Sequence, residues 1–284
     1  MIITIYGLGL IGGSLAIALK NKTDNKVYAL NRTKSVLDKA ILDGYVDGEA
    51  TTKILEKTDI FIFALFQNAI IEKMEDICKH LKPNAIVTDI CGTKKSICKE
   101  MSRLSSLYPN LQFIGGHPMA GKEVWGMDNA TEDLFVNAYS ILVPVNANNK
   151  SVDTLKEMYL KLGCKDVVIT TPENHDELIS YTSQLAHVVS CSYILNPLSQ
   201  QTEGFSAGSF KDMTRVAKLS SKMWTELFLD NKENLINQID NLMENLQNIK
   251  EAIEKNDDKS LYAILEEGRK AKEESLERSK NKTK

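Results

Sequence analysis

The sequence lacks the charge imbalance that marks proteins acting on nucleic acids or membrane surfaces. Its 35 Lys and Arg residues are outnumbered by 38 Asp and Glu residues, which gives a net charge of −3. Either partner would call for a basic excess or a basic amphipathic helix, so we predict neither nucleic-acid binding nor membrane association. No apolar run reaches the length of about 18 residues that a membrane-spanning helix needs. The first residues also lack the charged region and cleavage site of a signal peptide.

Cysteine is the second scarce feature. The sequence has five cysteines, widely scattered and without a CxxC pair. An odd number of dispersed cysteines is typical of reduced thiols, so we expect a cytoplasmic protein. Together with the four histidines, the cysteines match no ligand spacing of a zinc site, and no metal is predicted.

The first 171 residues alternate short β-rich runs with helical stretches. Several of the runs are continuously apolar, which is typical of strands covered on both faces. The alternation predicts an α/β fold, namely a Rossmann-type, mostly parallel sheet with right-handed crossovers. Strands are predicted at 2–6, 26–30, 59–65, 85–90, 112–114, 139–145 and 165–170, and helices at 10–21, 33–43, 67–80 and 151–162.

After Thr171 the strand patterns stop, and Pro172 followed by Glu173 is typical of a helix start. We therefore predict a dinucleotide-binding Rossmann domain over 1–171 and an all-helical substrate and dimerisation domain over 172–284. Apolar residues then recur every three or four positions in a heptad-like stripe at Leu235, Ile239, Leu242, Leu246, Ile249 and Ile253. Such a stripe packs inside its own domain, forms a subunit interface, or does both. Its length leads us to expect a homodimer through the helical domain.

A glycine-rich loop follows the first predicted strand and opens the first predicted helix. It reads Gly7, Leu8, Gly9, Leu10, Ile11 and Gly12, which is a GxGxxG motif. In this position the glycines allow a tight turn, close approach of the backbone to a pyrophosphate, and close packing of helix on strand. The helix N-terminus then presents free N–H groups to the phosphates. The placement predicts a site for NAD or NADP.

The residues after the second predicted strand bear on which of the two cofactors binds. A Rossmann domain usually has an acidic residue there for the ribose hydroxyls of NAD, but this chain has Asn31, Arg32, Thr33 and Lys34. Loss of the acid removes repulsion of a 2′-phosphate, and the Arg32 fork suits a phosphate, so we expect NADP to be preferred. The alternative is an ordinary polar loop with Arg32 facing solvent, in which case NAD is used as well.

Further segments carry a more specific signal. They are Val87–Lys94 (VTDICGTK), Ile114–Glu123 (IGGHPMAGKE), Ser183–His187 (SQLAH), Phe210–Arg215 (FKDMTR), Met223–Trp224 and 230–234. With these segments the chain resembles the prephenate/arogenate dehydrogenase family from residue 1 to about residue 255. The resemblance implies oxidative decarboxylation of a cyclohexadienol, prephenate or arogenate, to a 4-hydroxyphenyl product in tyrosine biosynthesis, with hydride transfer to NAD(P).

His117 is the strongest catalytic candidate. It lies between Gly116 and Pro118, and we expect it on a loop just after a strand of the cofactor domain. Oxidation of a ring C–OH needs a group that accepts the hydroxyl proton, and a neutral imidazole suits this near pH 7. Loss of the ring carboxylate as carbon dioxide then drives aromatisation.

The resemblance implies roles for further residues. Arg215 would hold a substrate carboxylate through a bidentate pair, and His187 would act beside it as a second catalytic candidate. The predicted substrate contacts are Glu123, Gln184, Asp212, Arg215 and Trp224. Lys94 would steady the loop after the fourth predicted strand and is counted among the predicted cofactor-binding residues. Alternatives stay open, because His187 and Trp224 also suit a packed core, and Asp212 with Arg215 also suits a surface ion pair.

One position departs from the family pattern. In many relatives the residue three after the loop aspartate is a serine whose hydroxyl bonds the catalytic histidine, whereas counting from Asp89 gives Gly92 here. Thr93, Cys91, a water or the nicotinamide ribose are the candidate replacements.

Two other functions stay open. One is a β-hydroxyacid or imino-acid oxidoreductase, which the GGHP segment does not suit. The other is a dinucleotide-binding sensor without catalysis, against which His117 and Arg215 argue.

Overall fold

The computed structural model describes residues 1–281, and its first part is built on one eight-stranded sheet in the order β3-β2-β1-β4-β5-β6-β7-β8. All neighbouring strands are parallel except β6 and β7, which are antiparallel. The mostly parallel Rossmann-type sheet predicted from the sequence is therefore confirmed. The strands are β1 (Ile2–Tyr6), β2 (Lys26–Leu30), β3 (Gly48–Glu49), β4 (Ile60–Phe63), β5 (Ile86–Asp89), β6 (Gln112–Pro118), β7 (Tyr139–Asn146) and β8 (Asp166–Ile169).

Helices cover both faces of this sheet, which explains the continuous apolar runs. In β4 all four residues are buried, and they alternate between two cores: Ile60 and Ile62 belong to one, Phe61 and Phe63 to the other. Successive side chains of a strand point to opposite faces, so a strand between two helical layers is apolar at nearly every position. The helices of this part are α1 (Leu10–Lys22), α2 (Lys34–Leu42), α3 (Thr52–Leu55), α4 (Gln67–Cys78), α5 (Lys95–Leu107) and α6 (Asn149–Lys161).

The sequence-based boundaries need three corrections. The strand predicted at 112–114 continues to Pro118, because β7 pairs with it as far as Pro118 opposite Ser140. His117 therefore lies inside β6, opposite Ile141, and the prediction of a loop position was wrong. Helix α5 was not predicted, and neither were the short β3 and α3. Helix α5 has an apolar face at Ile97, Cys98, Met101 and Leu104, all buried.

The chain after β8 is helical through residue 281, as expected. Its helices are α7 (Pro172–Ile179), α8 (Leu185–Ile194), α9 (Gly208–Thr214), α10 (Ser221–Asp230), α11 (Lys232–Glu254) and α12 (Asp258–Asn281), and one π-helical turn at Ser180–Gln184 joins α7 to α8. Contacts divide the chain into two compact units, Met1–Lys232 and Glu233–Lys284. The domain boundary at 171/172 stays a prediction. Within residues 1–281, no helix has the length and apolar character needed to cross a membrane.

The second unit exposes apolar side chains on both of its long helices. In the predicted stripe of α11, Leu246 and Ile253 are more than half exposed, at 56% and 57%. Tyr262 and Leu265 of α12 are also exposed. Exposed apolar residues at helical spacing favour the interface alternative for part of the stripe.

Candidate active site

The glycine loop leaves no room for a side chain at Gly7 and Gly12 but is open at Gly9. Gly7 has a positive φ of 107°, a conformation that side-chain-bearing residues rarely adopt. A Cβ at Gly12 would stand 2.0 Å from the Gly7 carbonyl oxygen, so α1 packs too closely on the loop for any side chain there. At Gly9, the N-cap of α1, no described residue other than Gly9 and its two chain neighbours has an atom within 4 Å of a Cβ position. This open approach to a helix N-terminus fits a dinucleotide pyrophosphate.

The loop after β2 lies against the glycine loop. The Asn31 side chain accepts a hydrogen bond from the Leu8 backbone N–H at 2.9 Å and donates one to the Thr33 carbonyl at 3.0 Å. Arg32 is exposed, whereas the Lys34 ammonium pairs with Glu49 at 2.9 Å. Of the two neighbouring cations, Arg32 is thus the better placed to meet a phosphate.

Two buried side chains bind the backbone of Gly116, the residue before His117. Asp89, at the end of β5, accepts the Gly116 N–H at 3.0 Å, and the Lys94 ammonium donates to the Gly116 carbonyl at 2.8 Å. A Cβ at residue 116 would stand 2.4 Å from the Asp89 carbonyl oxygen, so β6 approaches β5 this closely only with glycine there. Both backbone groups that precede His117 are therefore fixed.

Lys94 and Asp89 form an ion pair with no exposed side-chain surface. Burial, the largest single cause, acts to lower the pKa of Lys94, but the Asp89 carboxylate together with Cys91 and Cys98 raises this pKa above its ordinary value. Removing one partner of such a pair leaves a buried charge, which typically costs about 3–5 kcal/mol. Lys94 thus holds the segment between β5 and α5 against β6. Its direct contact with the cofactor stays a prediction.

The His117 ring heads a chain of hydrogen bonds. Its Nδ1 lies 2.9 Å from Nε2 of His175, whose Nδ1 lies 2.7 Å from the Asp176 carboxylate. Burial lowers the pKa of His117 well below its ordinary 6.5, and the neighbouring His175 and Lys94 lower it further. His117 is therefore a neutral imidazole near pH 7, which is the form that accepts a proton.

A second group of predicted residues lies around His187. The His187 ring stacks on Trp224 with 3.6 Å between ring centroids, and its Nδ1 contacts the Ser183 carbonyl at 2.9 Å. Arg215 forms an ion pair with Glu123, and both residues act electrostatically on His187, whose pKa is lowered mainly by burial. A single copy of the polypeptide thus brings together four predicted site residues, namely His187, Trp224, Glu123 and Arg215.

Two other predicted substrate contacts, Gln184 and Asp212, differ from this group in burial and in hydrogen bonding. Gln184 is 1% exposed; its amide donates to the Leu227 carbonyl at 3.0 Å and accepts from Asn231 at 2.8 Å. Asn231 also donates to the Asp176 carbonyl at 2.8 Å, so Gln184 and Asn231 connect the π-helical turn to the His175 helix. Asp212 is exposed on α9. The ion-pair partner of Arg215 is Glu123 and not Asp212.

At Gly92, where the family resemblance leads one to expect serine, α10 fills the neighbouring space. A Cβ there would stand 3.3 Å from Cδ2 of Leu227, a contact tight enough to require a small shift. Sequence reasoning missed the partner that His117 has here, His175. The available signal was the adjacent pair His175-Asp176 in the first turns of the helix that begins at Pro172.

Comparisons with known proteins match both parts of the chain. Two family models match it: the nucleotide-binding domain of prephenate dehydrogenase over residues 15–169 and its dimerization domain over residues 171–267. Prephenate dehydrogenase of Bacillus subtilis (strain 168) is 30% identical over 273 residues, 92% of this chain and 72% of that protein. The structure of Synechocystis arogenate dehydrogenase has a TM-score of 0.82 at 27% identity and covers 97% of this chain and 100% of its own. Prephenate dehydrogenase from A. aeolicus, solved with hydroxyphenyl propionate and NAD+, has a TM-score of 0.79 at 26% identity and covers 96% and 98%.

Proposed function

Since this chain belongs to the prephenate dehydrogenase family, we propose that it catalyses the NAD(P)-dependent oxidative decarboxylation of prephenate or arogenate. The observation that carries the proposal is His117, a neutral imidazole whose backbone is fixed at the sheet and whose Nδ1 already has a partner. Its Nε2 can therefore serve the substrate. The open glycine loop supplies the second requirement, a site for the dinucleotide.

The reaction needs three events at the substrate ring: a proton leaves the hydroxyl, a hydride leaves the same carbon, and the ring carboxylate leaves as carbon dioxide. Nε2 of His117 accepts the hydroxyl proton as the carbonyl forms. The bound cofactor supplies a nicotinamide that accepts the hydride. The electrons of the broken C–C bond complete the aromatic ring, and the carbonyl oxygen takes back a proton to become the product hydroxyl. The protein therefore mainly has to orient the substrate.

The group around His187 is assigned to the substrate. The exposed Arg215 guanidinium presents a planar fork to a carboxylate, and Glu123 holds it until the substrate binds. The stacked rings of His187 and Trp224 offer an apolar and hydrogen-bonding wall. Gln184 joins the π-helical turn that precedes His187 to α10, the helix of Trp224, since its amide donates to Leu227 and accepts from Asn231. Asp212 is assigned to the rim.

The proposal extends to cofactor choice, assembly and location. Arg32 beside Asn31 favours the 2′-phosphate of NADP over NAD. The exposed apolar residues of α11 and α12, in a part of the chain that largely matches a dimerization-domain model, support a homodimer through the helical region. Free cysteines fit a reducing compartment, so we place the reaction in the cytoplasm.

The test is an absorbance assay at the reduced-nicotinamide band with prephenate and, separately, arogenate. Turnover of one or both is expected, and the His117→Asn variant should lose about 10²–10⁴-fold in kcat while still binding cofactor. Cofactor binding without turnover of either substrate would indicate a sensor and contradict the proposal. A His117→Asn variant that keeps more than about a third of kcat would contradict the role of the imidazole.

A further inference from the structure

We propose that His175 and Asp176 are positioning residues that hold His117 in the tautomer with an unprotonated Nε2. The proposal rests on the proposed function only in naming what that Nε2 does, which is to accept the substrate's proton. Its structural part concerns one chain of hydrogen bonds, from Asp176 through His175 to His117.

The Asp176 carboxylate is an acceptor on every side for which the structure gives a partner. It is fully buried, and it accepts the backbone N–H groups of Lys94 at 2.7 Å and Lys95 at 2.9 Å. These two groups open helix α5, whose positive dipole end stabilises an anion. At 2.7 Å from this carboxylate, Nδ1 of His175 must carry a proton and donate it.

His175 is then either neutral, with a lone pair on Nε2, or an imidazolium. The His175 side chain has no exposed surface; Asp176 contacts its ring, and Lys94, which is paired with Asp89, acts electrostatically on His117. Lys94 and Asp89 neutralise one another, and the Asp176 charge is shared with two helix N–H groups. Because the Asp176 carboxylate already meets two N–H donors at the start of α5, the buried ring is assigned the neutral form, like the histidine beside the buried aspartate of a resting Ser-His-Asp triad.

A neutral His175 leaves one proton for the 2.9 Å contact between the two rings, and it belongs to Nδ1 of His117. Nε2 of His117 is consequently unprotonated before any substrate arrives. When Nε2 takes up a proton, the Nδ1–H of the resulting imidazolium still points at a lone pair backed by a carboxylate. The chain thus both selects the tautomer and stabilises the product of proton transfer, as the aspartate does in Ser-His-Asp triads.

This arrangement also answers the departure at Gly92. Glycine supplies no hydroxyl to hold the catalytic imidazole, and His175 supplies the missing partner from α7 instead. Because His175 follows Pro172 closely and Asp176 caps α5, the position of the ring is set by two helices at once.

The tautomers can be read directly by nuclear magnetic resonance of the full-length protein labelled with 15N-histidine. The chain has four histidines, so three rings are assigned by their loss in His80→Gln, His117→Asn and His187→Gln, and His175 is assigned by elimination. Both His117 and His175 should show a protonated Nδ1 and an unprotonated Nε2 in the resting enzyme. Protonated Nε2 on His117, or an imidazolium at His175, would overturn the proposal.

Two variants separate positioning from mere packing. In His175→Gln an acceptor remains near the position of Nε2, whereas in His175→Asn it does not. His175→Asn should give His117 mixed tautomers and lower kcat by about 10- to 100-fold at nearly unchanged KM, the cost of losing an orienting partner. His175→Gln should keep the wild-type tautomer and lose less than about fivefold.

Equal losses in both variants, or an unchanged His117 tautomer in His175→Asn, would overturn the proposal. If His175→Asn does not fold, the wild-type spectrum still decides the question. If neither prephenate nor arogenate is turned over, the proposed function fails, but the spectrum of the resting enzyme still tests the hydrogen-bonded chain.

Discussion

Replacing Arg215 by alanine tests whether this side chain anchors the substrate. In the structure Arg215 pairs with Glu123, and the two side chains are 64% and 37% exposed. An exposed ion pair contributes about 0–1 kcal/mol, so its loss should hardly change the free energy of unfolding. A bidentate bond to a substrate carboxylate is worth more, about 1.5–3 kcal/mol for a charge-assisted pair.

Converted at about 1.4 kcal/mol per factor of ten, that loss raises KM roughly 10- to 100-fold. The anchor acts in both the ground state and the transition state, so kcat should change much less than KM. Steady-state kinetics with saturating cofactor measure both constants. Arg215→Lys keeps the charge without the planar fork and should give an intermediate KM.

Arg103 offers a matched control. It is another exposed arginine, paired with Glu75 at 2.7 Å and Glu100 at 2.8 Å on the outside of α5. Arg103→Ala should leave KM unchanged. Glu123→Gln releases Arg215 and should lower KM slightly, by no more than about fivefold. An unchanged KM in Arg215→Ala, or the same increase in Arg103→Ala, would show that Arg215 is not the anchor.

Three further predictions concern cofactor, pH and assembly. NADP should exceed NAD in kcat/KM by roughly 10- to 100-fold, and Arg32→Ala should abolish the difference; equal values in the wild type would contradict the phosphate role. Since the pKa of His117 lies well below 6.5, kcat/KM should stay level as pH falls through 6.5 and decline only at lower pH, where the imidazole is protonated. A decline centred at or above 6.5 would be inconsistent with that. Light scattering at micromolar concentration should give twice the chain mass of 31.8 kDa; a monomer mass would refute the dimer.

Local patterns were enough to predict most of the sheet. Ile2–Tyr6 followed by the glycine loop carries its structure in adjacent residues, because strand, tight turn and helix start are each encoded within a few positions. The antiparallel strand was harder. Its partner residues lie more than 20 positions away, and the pairing with β7 from Gly115 opposite Val143 to Pro118 opposite Ser140 extends β6 beyond residue 114. Helix α5 was missed although its apolar face was present in the sequence.

The sequence supplied candidate site residues but not the contacts that connect them. Motif resemblance pointed to His117, His187, Glu123, Arg215 and Trp224, yet it gave no hint that His175 contacts His117 across 58 residues. Neither did it show that Asp176 caps a helix 82 residues earlier. Contacts of this kind depend on how helices pack, which no local periodicity records.

The same hydrogen bonds indicate where substitutions should affect catalysis. Residues of α7 are not at the glycine loop or among the residues assigned to the substrate, yet they hold the ring of His117 and the start of α5 together. Lys94 belongs to both arrangements, since its backbone N–H binds Asp176 and its ammonium binds Asp89 and Gly116. A change at α7 that moves Asp176 therefore displaces Lys94 and, through Gly116, the backbone of His117. Because both histidine and backbone would shift, such a change should act on kcat even where no substrate contact is altered.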